Sequence, residues 1–254
     1  MKRVHFFALS VLLSALTVAS STDPTAAAKR PGPQTASSFI PTSSLDVPEV
    51  CFAPGTSPQV LRQNALRRRA QLSSLQPFQF NDGDRWASTA TNGGGLSLGQ
   101  VTTLTWNIVP DGTPIAGFNG EPAAPSNLKA FLQGIYGSEA AWLAQFQTVF
   151  NQWGALTGVS YVKETADDGA ALSFVNNGVL GVRADIRIGG HFIDGDFNVL
   201  AYNFFPDSGD MVIDTADSYY SDPGGGLANG SRGFRNMLAH EHGHGLGFEH
   251  SCPI

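Results

Sequence analysis

With 254 residues, the chain is long enough for one domain with a full core plus further segments, and 42% hydrophobic against 14% charged residues excludes a wholly disordered chain. Its charge is uneven: residues 1–85 carry nine Lys/Arg against five Asp/Glu, and residues 86–254 six against sixteen, for a net −6. The acidic second part disfavours nucleic-acid partners and suits cations.

The first twenty residues have Lys2 and Arg3, an apolar run from Phe6 to Val18 and small residues at Ala19, Ser20 and Ser21. This predicts a secretory signal peptide over 1–20, with an uncleaved anchor as the alternative; no stable membrane span is expected once it is removed. Export places Cys51 and Cys252 in an oxidising compartment, where the two can pair as a disulfide. Residues 21–77 are rich in Ala, Ser, Thr, Pro and Gln and read as a flexible linker or propeptide, with a short helix from Pro58 to Leu75. The Arg67-Arg68-Arg69 triplet in it is a processing site or a solvated basic face.

A folded domain is expected over 78–254. Val101 to Val109 is β-branched and aromatic, bounded by Gly99 and by Pro110-Asp111-Gly112, and predicts a strand. A Gly/Pro-rich insertion and a short helix from Ser126 to Tyr136 follow. Ser138 is a fair N-cap for a longer helix, because Trp142, Phe146, Val149, Phe150 and Trp153 recur at helical spacing up to Gly158. Strands are expected at Val159–Val162, Ala184–Ile188, Val199–Phe205 and Met211–Ile213. This order predicts an α+β fold with a mixed twisted sheet and two main helices.

The chemistry concentrates near the end, in His240-Glu241-His242-Gly243-His244-Gly245-Leu246-Gly247-Phe248-Glu249-His250. On a helix, His240 and His244 lie on one face and present two imidazoles to one ion. Gly247 accepts φ > 0, which ends the helix and returns His250 as a third ligand. Zn²⁺ with three such ligands keeps a water in its fourth position and lowers that water's pKa from roughly 15.7 to about 7. Glu241 would then act as general base toward a peptide carbonyl. His242, about 200° around the helix from His240, points away from the metal and reads as a packed or solvated histidine. A metal buffer is the competing reading of a His-rich tract, but three glycines in a helix that held no metal would only weaken it.

The pattern H-E-x-x-H-x-x-G-x-x-H resembles the metzincin metallopeptidases. From about residue 100 to 250 the chain also resembles the matrixin catalytic domain, including Trp153-Gly154-Ala155-Leu156-Thr157 at the end of the first main helix and Ala184-Asp185-Ile186-Arg187-Ile188 in the strand that follows. The resemblance implies a zincin-like fold and a secreted zinc endopeptidase that takes protein or peptide segments. It implies substrate contacts along Val199–Phe205, at Leu200, Tyr202 and Phe204, and a structural Ca²⁺ on Asp194, Asp214 and Asp217. It implies no structural zinc, since Tyr202 and Val212 stand where two histidines of that site would, and it leaves His191 without a role. Matrixin zymogens often place a propeptide cysteine on the zinc; Cys51 is the candidate, but its Glu-Val-Cys-Phe-Ala-Pro setting lacks the Arg-Cys-Gly core and ranks that role below a Cys51–Cys252 disulfide. Only four residues follow His250, so most of the C-terminal subdomain with its methionine turn is expected to be missing, as in a piece of a longer protease or a degenerate one. A non-catalytic zinc-binding module is the alternative function.

Overall fold

The computed structural model describes residues 48–73, 85–172, 178–196, 198–221 and 228–249. The expected signal peptide, most of the expected linker, His250 and Cys252 lie outside them. In chain order the strands are β1 (Glu49–Phe52), β2 (Ser88–Thr89), β3 (Gly93–Gly94), β4 (Thr103–Ile108), β5 (Pro114–Ile115), β6 (Ala124–Pro125), β7 (Ser160–Lys163), β8 (Ile186–His191), β9 (Val199–Asn203) and β10 (Met211–Asp214). The helices are α1 (Pro58–Ser73), α2 (Leu128–Tyr136), α3 (Glu139–Thr157) and α4 (Ala228–Gly245). No helix among the described residues is long and apolar enough to cross a membrane.

Six strands form one mixed sheet in the order β1-β9-β10-β8-β4-β7, while β2–β3 and β5–β6 are small ribbons. Pairings from β7 through β4 and β8 to β10 are parallel, and β9 runs antiparallel to β10. Parallel neighbours need crossovers, and α2 with α3 supplies the one between β4 and β7. Helix α3 forms where its aromatic stripe predicts it. Ser138 accepts from the Ala141 amide at its start, and Gly158 closes it in the left-handed conformation, φ 76°. Its buried face puts Phe146 and Phe150 against Trp106 of β4, with the Phe150 ring centroid 4.7 Å from the indole. Phe234, Met237 and Leu238 of α4 complete the same core, and each such side chain, fully buried, contributes roughly 1.5–3 kcal/mol. A second core on the other face of the sheet gathers Val109, Ile115, Phe118, Val199, Tyr202, Phe204 and Val212.

Two expectations need correction. Residues 49–52 are a strand of the main sheet, not linker, and they pair antiparallel with β9 in the register Glu49↔Asn203, Val50↔Tyr202, Cys51↔Ala201, Phe52↔Val199. The Val199–Phe205 strand, expected to contact substrate, is therefore covered by β1. Four residues between Pro48 and Pro54 carry too little pattern to mark a strand alone. They become one because an unpaired edge offers its N–H and C=O groups. Helix α1 follows at once, and its Arg68 forms an ion pair with Glu49.

Candidate metal centre

Helix α4 ends in a Schellman-type cap: the Gly247 amide donates to the His244 carbonyl at 2.8 Å and the Phe248 amide to the Gly243 carbonyl at 3.0 Å. Gly247 takes φ 97°, the positive value expected of it. Gly245 has a different reason to be glycine, since a Cβ there would meet the Asn203 amide nitrogen at 2.9 Å. That close approach seats α4 on β9, and the Trp86 indole, donating to the Gly245 carbonyl at 2.9 Å, fastens it.

On this helix end the Nε2 atoms of His240 and His244 face each other 3.1 Å apart. The Phe248 carbonyl can only accept, so the His244 Nδ1 bonded to it carries the proton and Nε2 is left with its lone pair toward His240. The Phe205 ring stands edge-on to His244 with centroids 6.3 Å apart, a support under the imidazole that the strand pattern of Val199–Phe205 did not single out. Glu241 is wholly buried, and among the described residues neither carboxylate oxygen has an N–H or O–H donor. Burial first, then repulsion from Glu49, pushes its pKa well above the usual carboxylate range, while a hydrogen bond from the Cys51 thiol acts the other way. One ligand atom each of Cys51, His240 and Glu241 lie within 4.8 Å of one another. Burial and the Glu241 charge together push the Cys51 thiol up. Cys51 is a free thiol here, and Cys252, its expected disulfide partner, lies outside the described residues. The donor set fits Zn²⁺: two imidazoles with converging nitrogens, a soft sulfur beside them and an orphaned buried carboxylate. His250, the expected third histidine, lies outside the described residues.

His242 faces the opposite way, as its angle on the helix requires. It is buried among Phe150, Trp153 and Tyr161, its Nε2 lies 2.7 Å from the Tyr161 hydroxyl, and burial lowers its pKa to about 3. A neutral His242 thus pins the back of α4 to β7.

The three aspartates expected to hold calcium lie at the end of β10 and in the loops after β8 and β10, but their oxygens are largely taken by backbone amides. Asp214 accepts from Asp194 and Gly195 at 3.0 and 2.8 Å and from Ala216 at 2.8 Å. Asp194 accepts from Val199 at 3.1 Å and Asp217 from Tyr219 at 2.7 Å. Burial, countered by the Val199 amide and reinforced by Asp214 and Asp217, pushes Asp194 up to about 6.

The side chains of Leu200, Tyr202 and Phe204, expected along the substrate edge, are all buried. Leu200 faces α4 in the first core, whereas Tyr202 and Phe204 face the second, where Phe118 meets both rings edge-on. The Tyr202 hydroxyl donates to Glu121 at 2.9 Å, and His191 Nε2 lies 3.3 Å from the same oxygen. His191, without a role on sequence grounds, is thus part of a buried polar cluster built around Glu121, a residue of the insertion that no motif marked.

Residues 136–253 match the model of the peptidase family described as Matrixin. No curated protein matches the chain. The match spans α3, the strands from β7 to β10 and the histidine-bearing helix, but not β1 with Cys51; over those residues the molecule is similar to a matrixin domain.

Proposed function

We propose that the chain is a secreted zinc endopeptidase held latent by its own strand β1. The observation that carries this reading is the meeting of the His240 and His244 Nε2 atoms at 3.1 Å beside a buried Glu241 carboxylate that no N–H or O–H donor among the described residues satisfies. A buried polar atom without a partner is rare and calls for a reason. A base waiting for a proton is such a reason. His240, His244 and His250 would hold the zinc, which when bound acidifies water and polarises the peptide carbonyl. Glu241 takes a proton from the attacking water on a carboxylate oxygen and delivers it to the departing amine. The Nδ1 contact to Phe248 keeps His244 in the tautomer whose Nε2 carries the lone pair, the form that a metal ion needs.

Latency is supported by β1, which fills the edge where a substrate strand would add and brings Cys51 to His240 and Glu241. The thiol would take the position that hydrolysis needs open. Secretion rests on the N-terminal pattern alone, and a structural Ca²⁺ is supported by the repulsion that Asp194 receives from Asp214 and Asp217, which a cation would relieve. The test is cleavage of casein by the zinc-loaded chain, by Cys51→Ala and by Cys51→Ala/Glu241→Ala. Greater cleavage by Cys51→Ala, abolished in the double variant, supports the reading. Stoichiometric zinc in all three with no cleavage by any would instead favour a non-catalytic zinc-binding module.

A further inference from the structure

The strand that covers β9 also carries information about what that edge recognises. Register and packing agree at each position of β1. Val50 lies opposite Tyr202, and Phe52 opposite Val199; all four belong to, or pack against, the core that contains Phe118 and Phe204. Cys51 lies opposite Ala201, and both pack on the other side of the sheet, toward α4 and Glu241. A register shift between Cys51 and Phe52 skips Leu200, whose own side chain fills the α4 side. The edge therefore has two apolar seats on one face, two positions apart, and between them on the other a position where the small Cys51 lies opposite Ala201. Beyond Phe52 the strand stays held, because the Ala53 amide donates to the Asn198 carbonyl at 2.7 Å.

We infer that the β9 edge selects extended protein segments with the pattern apolar–small–apolar, and that Val50-Cys51-Phe52 is the chain's own copy of it. Ladder hydrogen bonds to β9 are available to any extended chain, so affinity without selectivity comes from the backbone. Selectivity comes from the side chains that alternate across the edge. The two apolar seats lie on the face lined by Tyr202, which Glu121 holds through its hydroxyl, so their walls are fixed before a segment arrives. Val50 and Phe52 are half-buried there, so a charged side chain in either seat would lose part of its hydration against Tyr202 and Val199. On the opposite face, Ala201 leaves room for a small residue beside Glu241. The inference rests on the peptidase reading for its meaning as substrate choice, but binding at the edge needs no metal.

The experiment uses the full-length chain, metal-free, with Val50→Asp and Phe52→Asp to free the edge, and a fluorescent peptide with the sequence of residues 48–55 as probe, read by anisotropy. The parent peptide is expected to bind. Aspartate at both apolar positions should weaken it by about tenfold or more, and serine in place of the cysteine should change it by no more than about threefold. Equal binding of the aspartate peptide, or loss of binding with serine, overturns the pattern, the second because it would assign recognition to the thiol. Should the double variant not unfold cooperatively, the single variants in a Cys252→Ser background give the same answer through the rate at which a maleimide labels Cys51. Val50→Asp or Phe52→Asp must speed labelling at least about tenfold, and an unchanged rate in both contradicts the seats. Cleavage of the same peptides by the zinc-loaded chain is scored separately, so that intact selectivity without turnover removes the peptidase reading and leaves the recognition edge standing.

Discussion

Glu121 and Glu241 are both buried glutamates beside a histidine, and their surroundings are opposite. Glu121 accepts from the Phe118 and Asn119 amides, from Tyr202 and toward His191. Burial pushes it up, but those bonds, with His191 first, outweigh burial and hold it below its ordinary value. Among the described residues Glu241 has no such N–H or O–H donors, and burial with Glu49 close by drives it the other way against the Cys51 thiol. A satisfied carboxylate of the first kind holds a fold together. One of the second kind costs stability and persists for chemistry. The two faces of the sheet differ along this line: on one the Glu121 carboxylate is fully bonded, although the buried His191 Nδ1 beside it has no partner among the described residues, and the α4 face holds Glu241 without such bonds.

The sharpest way to break this comparison is to remove each glutamate. In a chain freed of the thiol by Cys51→Ala, Glu241→Ala should lower peptide cleavage by about 10²–10⁴-fold while leaving the unfolding midpoint unchanged or raised. A midpoint that falls would make Glu241 structural. On the paired side, Arg187 is wholly buried and donates to both oxygens of Asp167, at 2.9 and 2.8 Å. Asp167→Asn should cost about 3–5 kcal/mol by urea unfolding, because it strands a buried cation. Glu121→Gln should cost less, about 1–3 kcal/mol at pH 7. Its sign with pH follows from the lowered pKa: the contribution of Glu121 is complete above the unfolded carboxylate value of about 4.3 and is lost as pH falls through the lower folded value. The gap between wild type and Glu121→Gln should therefore close in acid, and a gap that persists below both values would contradict the assignment. Asp194 gives the smallest effect, with the opposite sign. Its folded value near 6 lies above the unfolded one, so its penalty is absent in acid and appears as pH rises toward 6. Asp194→Asn should flatten the stability profile in that window and abolish any rise in melting temperature on adding Ca²⁺.

Much of this was legible in the sequence because it rests on local pattern. The α3 stripe with Ser138 and Gly158 at its ends, the β-branched strands, and the spacing of His240, His244 and Gly247 each follow from the period of one element. What was not legible depends on partners distant in sequence. Residues 49–52 have no strand signal of their own and form β1 only because β9, about 150 residues later, ends the sheet with an unpaired edge. Glu121 lies in a Gly/Pro-rich insertion and gains its role from His191 and Tyr202, which are brought together by β8 and β9. Phe205 supports His244 from just beyond the end of a strand. The long motif located the metal centre, but nothing within it could say that Cys51 lies against it.

The most direct test of a metal centre closed by its own strand is the absorption spectrum of the full-length chain loaded with Co²⁺ in place of zinc, recorded beside Cys51→Ser and Cys252→Ser. The account predicts a thiolate-to-cobalt charge-transfer band in the wild type and in Cys252→Ser, and its loss in Cys51→Ser. A band absent from the wild type, or one that survives in Cys51→Ser, would contradict it.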